Sequence, residues 1–114
     1  MNIVYNIGLN NNRMTADEIL EFMSGMLSGF FGEVLEYSEI DGMWNGENEP
    51  TLVVNTRTDK CSSREKMYHY VSRMADMLDQ DCIAIKINGE GVMVYSSTHS
   101  GVEQKFNNKY FLEI

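Results

Sequence analysis

Residues 51–95, TLVVNTRTDKCSSREKMYHYVSRMADMLDQDCIAIKINGEGVMVY, decide the fold. Residues 51–57 alternate as a strand, and apolar side chains then recur at helical spacing over 63–79, with Ser62 or Ser63 as the N-cap. Isoleucines at every second position follow, which predicts a strand over 82–87.

A tight turn comes directly after that strand. Asn88-Gly89 separates it from a second apolar run, and Asn-Gly between two such runs is the strongest short hairpin signal, because a type I′ turn needs positive φ at both positions. The sequence therefore predicts a further strand over 91–96, antiparallel to 82–87.

The same plan occurs 48 residues earlier. It predicts a strand over 3–9, a helix over 15–29 that opens with a Thr15–Glu18 capping box, and a strand over 33–40. The apolar faces of the two helices correspond position by position: Ile19, Leu20, Phe22, Met23, Met26, Leu27 and Phe30 in the first, and Met67, Tyr68, Tyr70, Val71, Met74, Ala75 and Leu78 in the second.

Two strand–helix–strand halves, about 1–48 and 49–96, predict one α+β domain over 1–114 with the ferredoxin-like βαββαβ arrangement. In it two helices cover one face of an antiparallel sheet, and here 91–96 adds a strand. The tail, 97–114, ends in the apolar run Tyr110-Phe111-Leu112. We expect that run to add a short strand or to cover the open sheet face.

Residues 41–50, DGMWNGENEP, contain two turn dipeptides and a proline, and they predict an exposed loop between the second and third strands. Met43 and Trp44, the single tryptophan, suit a binding hot spot in such a loop. Alternatively, Trp44 folds back over the sheet edge as part of the core.

The charge is unevenly distributed. Residues 14–56 contain no Lys or Arg, while the other residues carry nine basic and eight acidic side chains, and the formal net charge is −8. Charge of one sign disfavours direct binding to nucleic acid or an anionic membrane and favours a basic protein surface or a cation. The nine carboxylates of this stretch are Asp17, Glu18, Glu21, Glu33, Glu36, Glu39, Asp41, Glu47 and Glu49.

The first functional hypothesis is a non-catalytic protein whose acidic face binds a partner with a basic surface. The residues predicted to carry that binding are Glu18, Glu21, Glu36, Glu39, Trp44, Glu47 and Glu49. The alternative for the same residues is that acidic surface only promotes solubility.

The second hypothesis is a regulator or sponge that binds a small anionic signalling molecule. Its residues would be Arg57, Lys60, Arg64 and Lys66, which cluster around the start of the second helix, where backbone N–H groups also favour anions.

The third hypothesis, a hydrolase, has the least support. His99 lies in a serine-rich segment, but no orienting acid or oxyanion hole occurs at a recognisable spacing. Asp76, Asp79 and Asp81 crowd a helix end without calcium-loop spacing, so solvated charge is the favoured interpretation. We therefore assign no catalytic residue, metal ligand or cofactor.

The cysteines predict neither a disulfide nor a shared metal site. Cys61 and Cys82 flank the second helix, about 24 Å apart at 1.5 Å per residue. Cys61, at a helix N-terminus, is the candidate for a reactive thiol. The apolar runs are too short to span a bilayer and residues 1–12 lack a signal-peptide pattern, so we expect a cytoplasmic protein.

Residues 44–54, WNGENEPTLVV, and 80–84, QDCIA, resemble small bacteriophage and plasmid proteins of unassigned function, over about residues 33–95. The element order is also similar to that of the divalent-cation-tolerance and nitrogen-regulatory ferredoxin-like proteins, which are trimers. The first resemblance implies a viral or mobile-element protein that inhibits a host enzyme or defence system. Because an open sheet leaves edges to cover, we expect a homodimer, with a trimer as the alternative.

Overall fold

The computed structural model describes residues 1–9, 14–26, 32–44, 46–58, 63–97 and 111–113. In order along the chain, its elements are β1 (Asn2–Gly8), α1 (Ala16–Met26), β2 (Glu33–Trp44), β3 (Glu47–Arg57), α2 (Arg64–Met77), β4 (Cys82–Ile87), β5 (Glu90–Tyr95) and β6 (Phe111–Glu113).

The strands form one sheet in the order β2-β3-β1-β4-β5-β6, and every neighbouring pair is antiparallel. The fold is therefore α+β, an antiparallel sheet with two helices, which is consistent with the predicted class.

The core lies between the sheet and the helices. Ile3, Tyr5 and Ile7 alternate along β1 and are fully buried, and they share one cluster with Ile19 and Met23 of α1. Buried side chains of α2 join the same cluster, so both helices cover the same face of the sheet. We call the other side the open face, since no helix among the described residues covers it.

Both helices begin with the caps that the sequence predicts. In the capping box of α1, the Thr15 N–H donates to Glu18 Oε1 at 3.1 Å and the Glu18 N–H donates to Thr15 Oγ1 at 3.2 Å. Ser63 caps α2 by accepting from the Lys66 N–H at 3.2 Å. Ser62, the other candidate cap, lies outside the described residues.

The predicted apolar face of α2 needs one correction. Tyr70, expected in the core, is 41% exposed, while Ser72 is buried. Ser72 tolerates burial because its hydroxyl donates to the Tyr95 carbonyl at 2.7 Å. The predicted end of the first helix, at residues 27–29, lies outside the described residues.

The hairpin at Asn88-Gly89 is confirmed, with φ of 49° and 88°. The Asn88 N–H donates to the Asn2 carbonyl at 2.9 Å and the Asn2 N–H donates to Asn88 Oδ1 at 3.1 Å, so the turn is tied to β1. The prediction of a short strand from the tail is also confirmed, because Phe111–Glu113 pairs with β5.

The predicted loop over residues 41–50 is wrong. The ladder continues from Ile40 to the Trp44–Glu47 pair, so only Asn45 and Gly46 separate β2 from β3. Gly46, at φ 79°, supplies the positive φ that such a turn needs. Pro50 is tolerated inside β3 because its carbonyl accepts from the Leu9 N–H at 2.9 Å. The backbone N and O atoms of one residue point to the same side of a strand, so the Pro50 nitrogen also faces away from β2. The N–H that proline lacks is therefore not one that the β2–β3 ladder would use.

Candidate binding surface on the β2–β3 hairpin

Strand β2 is an acidic sheet edge. Among the described residues it pairs only with β3, in a ladder that is regular from the Glu36–Asn55 pair to the Trp44–Glu47 pair. A bulge between Val34 and Glu36 is the one irregularity. The strand has no basic residue, and its four carboxylates are Glu33, Glu36, Glu39 and Asp41.

The same strand exposes large apolar side chains. Leu35 is 51% exposed, Tyr37 59%, Ile40 49% and Met43 72%. Scattered apolar residues are ordinary on a protein surface, but four exposed ones concentrated along one edge strand are typical of an interaction site. A long, apolar edge is also the part of a sheet most prone to pairing with another chain.

The register places acidic and apolar side chains on both faces of this edge. Tyr37 and Glu39 lie opposite the buried core residues Val54 and Leu52, which puts them on the helix side of the sheet. Ile40 is the next residue after Glu39, and side chains alternate between the two faces of a strand, so Ile40 lies on the open face. A partner strand would therefore meet both charge and apolar area on either face.

The structure brings some of the predicted partner-binding residues together and separates others. Glu18 and Glu21 are exposed on α1 and not on the hairpin strands. The side chain of Trp44 lies outside the described part of the chain. Four predicted carboxylates share the hairpin: Glu36, Glu39, Glu47 and Glu49.

Two carboxylates of the hairpin accept hydrogen bonds from side chains of the neighbouring strand. Asn55 Nδ2 donates to Glu36 Oε1 at 2.8 Å, and Arg57 Nη2 donates to Glu33 Oε2 at 3.3 Å. Both partners of the Arg57–Glu33 ion pair are more than half exposed, so it contributes at most about 1 kcal/mol. Among the described residues, no cation forms an ion pair with Glu39 at the centre of the edge.

A groove on the open face adjoins the hairpin, and the sequence interpretation missed it. It encloses about 370 Å³, and the Glu49 carboxylate lies so close to Gly8 that a Cβ there would clash. The available signal was Gly8 itself, because glycine inside a strand often marks a close approach of other groups. Its lining includes Asn6, Met43, Glu49, Asp81, Cys82 and Met93.

The predicted anion site is partly neutralised by the chain's own carboxylates. Arg57 pairs with Glu33, and Arg64 Nη1 lies 2.7 Å from Glu90 Oε2. The hydrogen bond and charge of Glu90 raise the pKa of Arg64. Lys66 is exposed at the start of α2, and Lys60 lies outside the described residues. A bound anion would compete with both carboxylates.

The aspartates at the C-terminal end of α2 are structural in part, which corrects the prediction of solvated charge. Asp76 accepts hydrogen bonds from the hydroxyls of Ser96 and Ser97 and so fastens α2 to the end of β5. In the described part of the chain, no group of three His, Cys, Asp or Glu side chains is arranged to hold a metal ion.

The surroundings of Cys82, the described thiol, disfavour its thiolate form. Burial, followed by the charge of Asp81, raises the pKa of Cys82 to about 12, against the lowering effect of a hydrogen bond with the Val94 backbone. His69 is exposed, and its ring meets Tyr70 edge-on at 6.2 Å. Cys61 and His99 lie outside the described residues.

No protein-family model, curated protein or solved structure matches this chain. In the described stretches, neither helix is long and apolar enough to cross a membrane. The functional argument therefore depends on the residues of the hairpin and its surroundings.

Proposed function

We propose that this chain is a non-catalytic binding protein whose β2–β3 hairpin docks against a basic surface of a partner protein. The observation that supports it is a 12-residue edge strand on which four carboxylates are interspersed with apolar side chains that are about half exposed or more. The resemblance to bacteriophage and plasmid proteins makes a host protein the expected partner, with inhibition or modulation as the result.

The two kinds of side chain have different roles in this proposal. Glu39 and Glu47 attract the basic surface and speed association, because charges at the rim of an interface act mainly on encounter. Tyr37 and Ile40 supply apolar area that is buried on docking and slows dissociation. Trp44 remains the predicted anchor at the end of the hairpin.

We also propose the finer fold assignment. The order β2-β3-β1-β4 for the first four strands, with one helix after β1 and one after β3, supports a ferredoxin-like unit to which β5 and β6 are added. In that arrangement the hairpin forms the edge farthest from the added strands.

A pair of matched variants tests the function. Glu39→Lys with Glu47→Lys reverses two charges on the hairpin, and Glu21→Lys with Glu65→Lys reverses two on the helices; all four side chains are exposed. Partners captured from host lysate by the wild type would be identified, purified and titrated against each variant. We expect the hairpin variant to bind about tenfold more weakly and the helix variant to stay within about twofold of wild type.

Circular dichroism spectra of both variants should match the wild type, because exposed charges contribute little to stability. Equal weakening by the two variants would show that net charge, and not the hairpin, governs binding. No weakening by either would show that the acidic surface serves solubility alone.

A further inference from the structure

We infer that the edge of β2, which no described strand covers, takes up an extended, basic segment of the partner protein as an added strand of the sheet. This inference rests on the proposed function and narrows its basic surface to a segment in strand conformation.

The backbone of β2 is suited to such pairing. From residue 36 to residue 44 its ladder with β3 is regular, which presents an uninterrupted edge of about 30 Å. In an antiparallel pair, every second residue turns its N–H and C=O away from the neighbouring strand. On an edge strand those groups form a row that a further strand can satisfy.

Three of the devices that usually protect an edge, proline, lysine and a bulge, do not occur within this segment. Residues 36–44 contain no proline and no lysine, and the one bulge precedes Glu36. At the other end of the sheet, β6 is only three residues long. The charges on β2 are carboxylates, which repel an acidic strand and attract a basic one.

The side chains of β2 define what the added strand should carry. Lysine or arginine opposite Glu39 or Asp41 gains from the opposite charge across the strands. Valine or isoleucine opposite Ile40, on the other face of the strand, covers apolar area that is now exposed. A basic segment with alternating β-branched residues fits both requirements.

A second copy of this chain fits less well. Pairing of β2 with β2 would place four carboxylates against four others along one seam, with no basic residue on either strand. Like charges on directly opposite strands destabilise pairing. The charge pattern therefore selects a basic partner over self-association.

Peptide probes test the inference. The first is a fluorescein-labelled peptide of about ten residues that alternates Lys and Val, long enough to cover the edge. One control peptide replaces Lys with Glu, and another keeps the Lys–Val composition but has two central prolines, which cannot complete a ladder. By fluorescence anisotropy at low salt, we expect only the first peptide to bind the full chain.

Amide hydrogen exchange gives the signature of strand addition. Binding of the Lys–Val peptide should protect alternate amides of residues 36–43, about tenfold or more, because only every second N–H faces the new strand. Equal binding of the proline-containing peptide, or the absence of alternate protection, would overturn the inference in favour of purely electrostatic attraction.

Two lysine substitutions supply the matched control. Ile40→Lys places a cation in the edge, and Met77→Lys places one on α2, at side chains of similar exposure, 49% and 54%. We expect Ile40→Lys to lower the affinity for the Lys–Val peptide about tenfold and Met77→Lys to leave that affinity nearly unchanged. Equal effects would overturn strand addition.

The outcomes separate this inference from the proposed function. If Glu39→Lys with Glu47→Lys loses the captured partner while Ile40→Lys keeps it, the proposed function stands and the inference fails. If that charge-reversed variant keeps the partner although the peptide pairs with β2, the proposed function fails. A molecular mass that rises with concentration, and that Ile40→Lys returns to monomer, would make a second copy the occupant and overturn the inference.

Discussion

At the residue scale, Cys82 shows how burial sets reactivity. Because burial raises its pKa to about 12, its thiolate is scarce near neutral pH. In a Cys61→Ser background, we expect iodoacetamide to alkylate folded Cys82 about a hundredfold or more slowly than the urea-unfolded chain at pH 8. Mass spectrometry of time points measures both rates, and similar rates would contradict the burial of this thiol.

The same shift predicts a loss of stability in alkali. The folded state favours the neutral Cys82 thiol. The contribution of this thiol to the free energy of unfolding is therefore complete below the unfolded pKa of about 9 and declines as the pH rises towards 12. Burial raises the pKa of Tyr95 as well, which acts in the same direction. Urea unfolding of wild type and Cys82→Ala between pH 8 and 11 should show the steeper decline in wild type. Parallel curves would refute the linkage to Cys82.

A third residue-scale prediction concerns Ser72, whose buried hydroxyl ties α2 to the Tyr95 carbonyl. Ser72→Ala should lower the free energy of unfolding by about 1 kcal/mol, because a hydrogen bond inside the packed layer is lost. Ser38→Ala, at an exposed position of β2, is the control and should stay within about 0.5 kcal/mol of wild type. Equal effects in urea unfolding would show that the Ser72 hydrogen bond adds nothing.

At the element scale, the two Asn-Gly dipeptides show what the sequence can and cannot predict. Asn88-Gly89 lies between uninterrupted apolar runs and was correctly interpreted as a hairpin. Asn45-Gly46 carries the same signal, but Gly42 and Pro50 beside it read as loop residues, so the long hairpin was missed. Gly42 and Pro50 fit into the β2–β3 ladder because of the register of the two strands and the position of β1. Neither can be read from the local sequence.

Two glycine substitutions should act in opposite directions. Gly46→Ala should destabilise the hairpin by about 1 kcal/mol, because a Cβ is strained at φ 79°. Gly25→Ala should stabilise α1 by about 0.5–1 kcal/mol, because alanine is the better helix former and open space surrounds that position. Thermal unfolding of both variants measures the signs, and a stabilising Gly46→Ala would contradict the tight turn.

At the scale of the whole molecule, charge could be predicted from the sequence but its arrangement could not. The acidic stretch was evident from composition, yet the fold divides it: Glu21 lies on α1, and Glu39 lies on the sheet edge. The groove beside Glu49 is lined by residues of β1, β3, β4 and β5. A local sequence pattern cannot predict a site that is assembled from strands distant in sequence. The exposed apolar residues of β2 likewise became visible only when β2 proved to be an edge.

The tail gives a prediction at this scale. Deleting residues 106–114 removes β6 and exposes the edge of β5, so we expect an altered oligomeric state or exposed hydrophobic surface. Light scattering and dye binding of the truncated chain measure this. A soluble truncated chain with unchanged mass and no dye binding would show that β6 protects nothing.

The most direct test of the hairpin as a binding surface is a salt series of association rates with the captured partner. The wild type should associate fast at low salt and slow steeply as salt is added, because screening removes the attraction of the carboxylates. Glu39→Lys with Glu47→Lys should associate about tenfold more slowly at low salt and depend little on salt, while Glu21→Lys with Glu65→Lys should follow the wild type. If the hairpin variant associates as fast as wild type at low salt, the hairpin is not the binding surface.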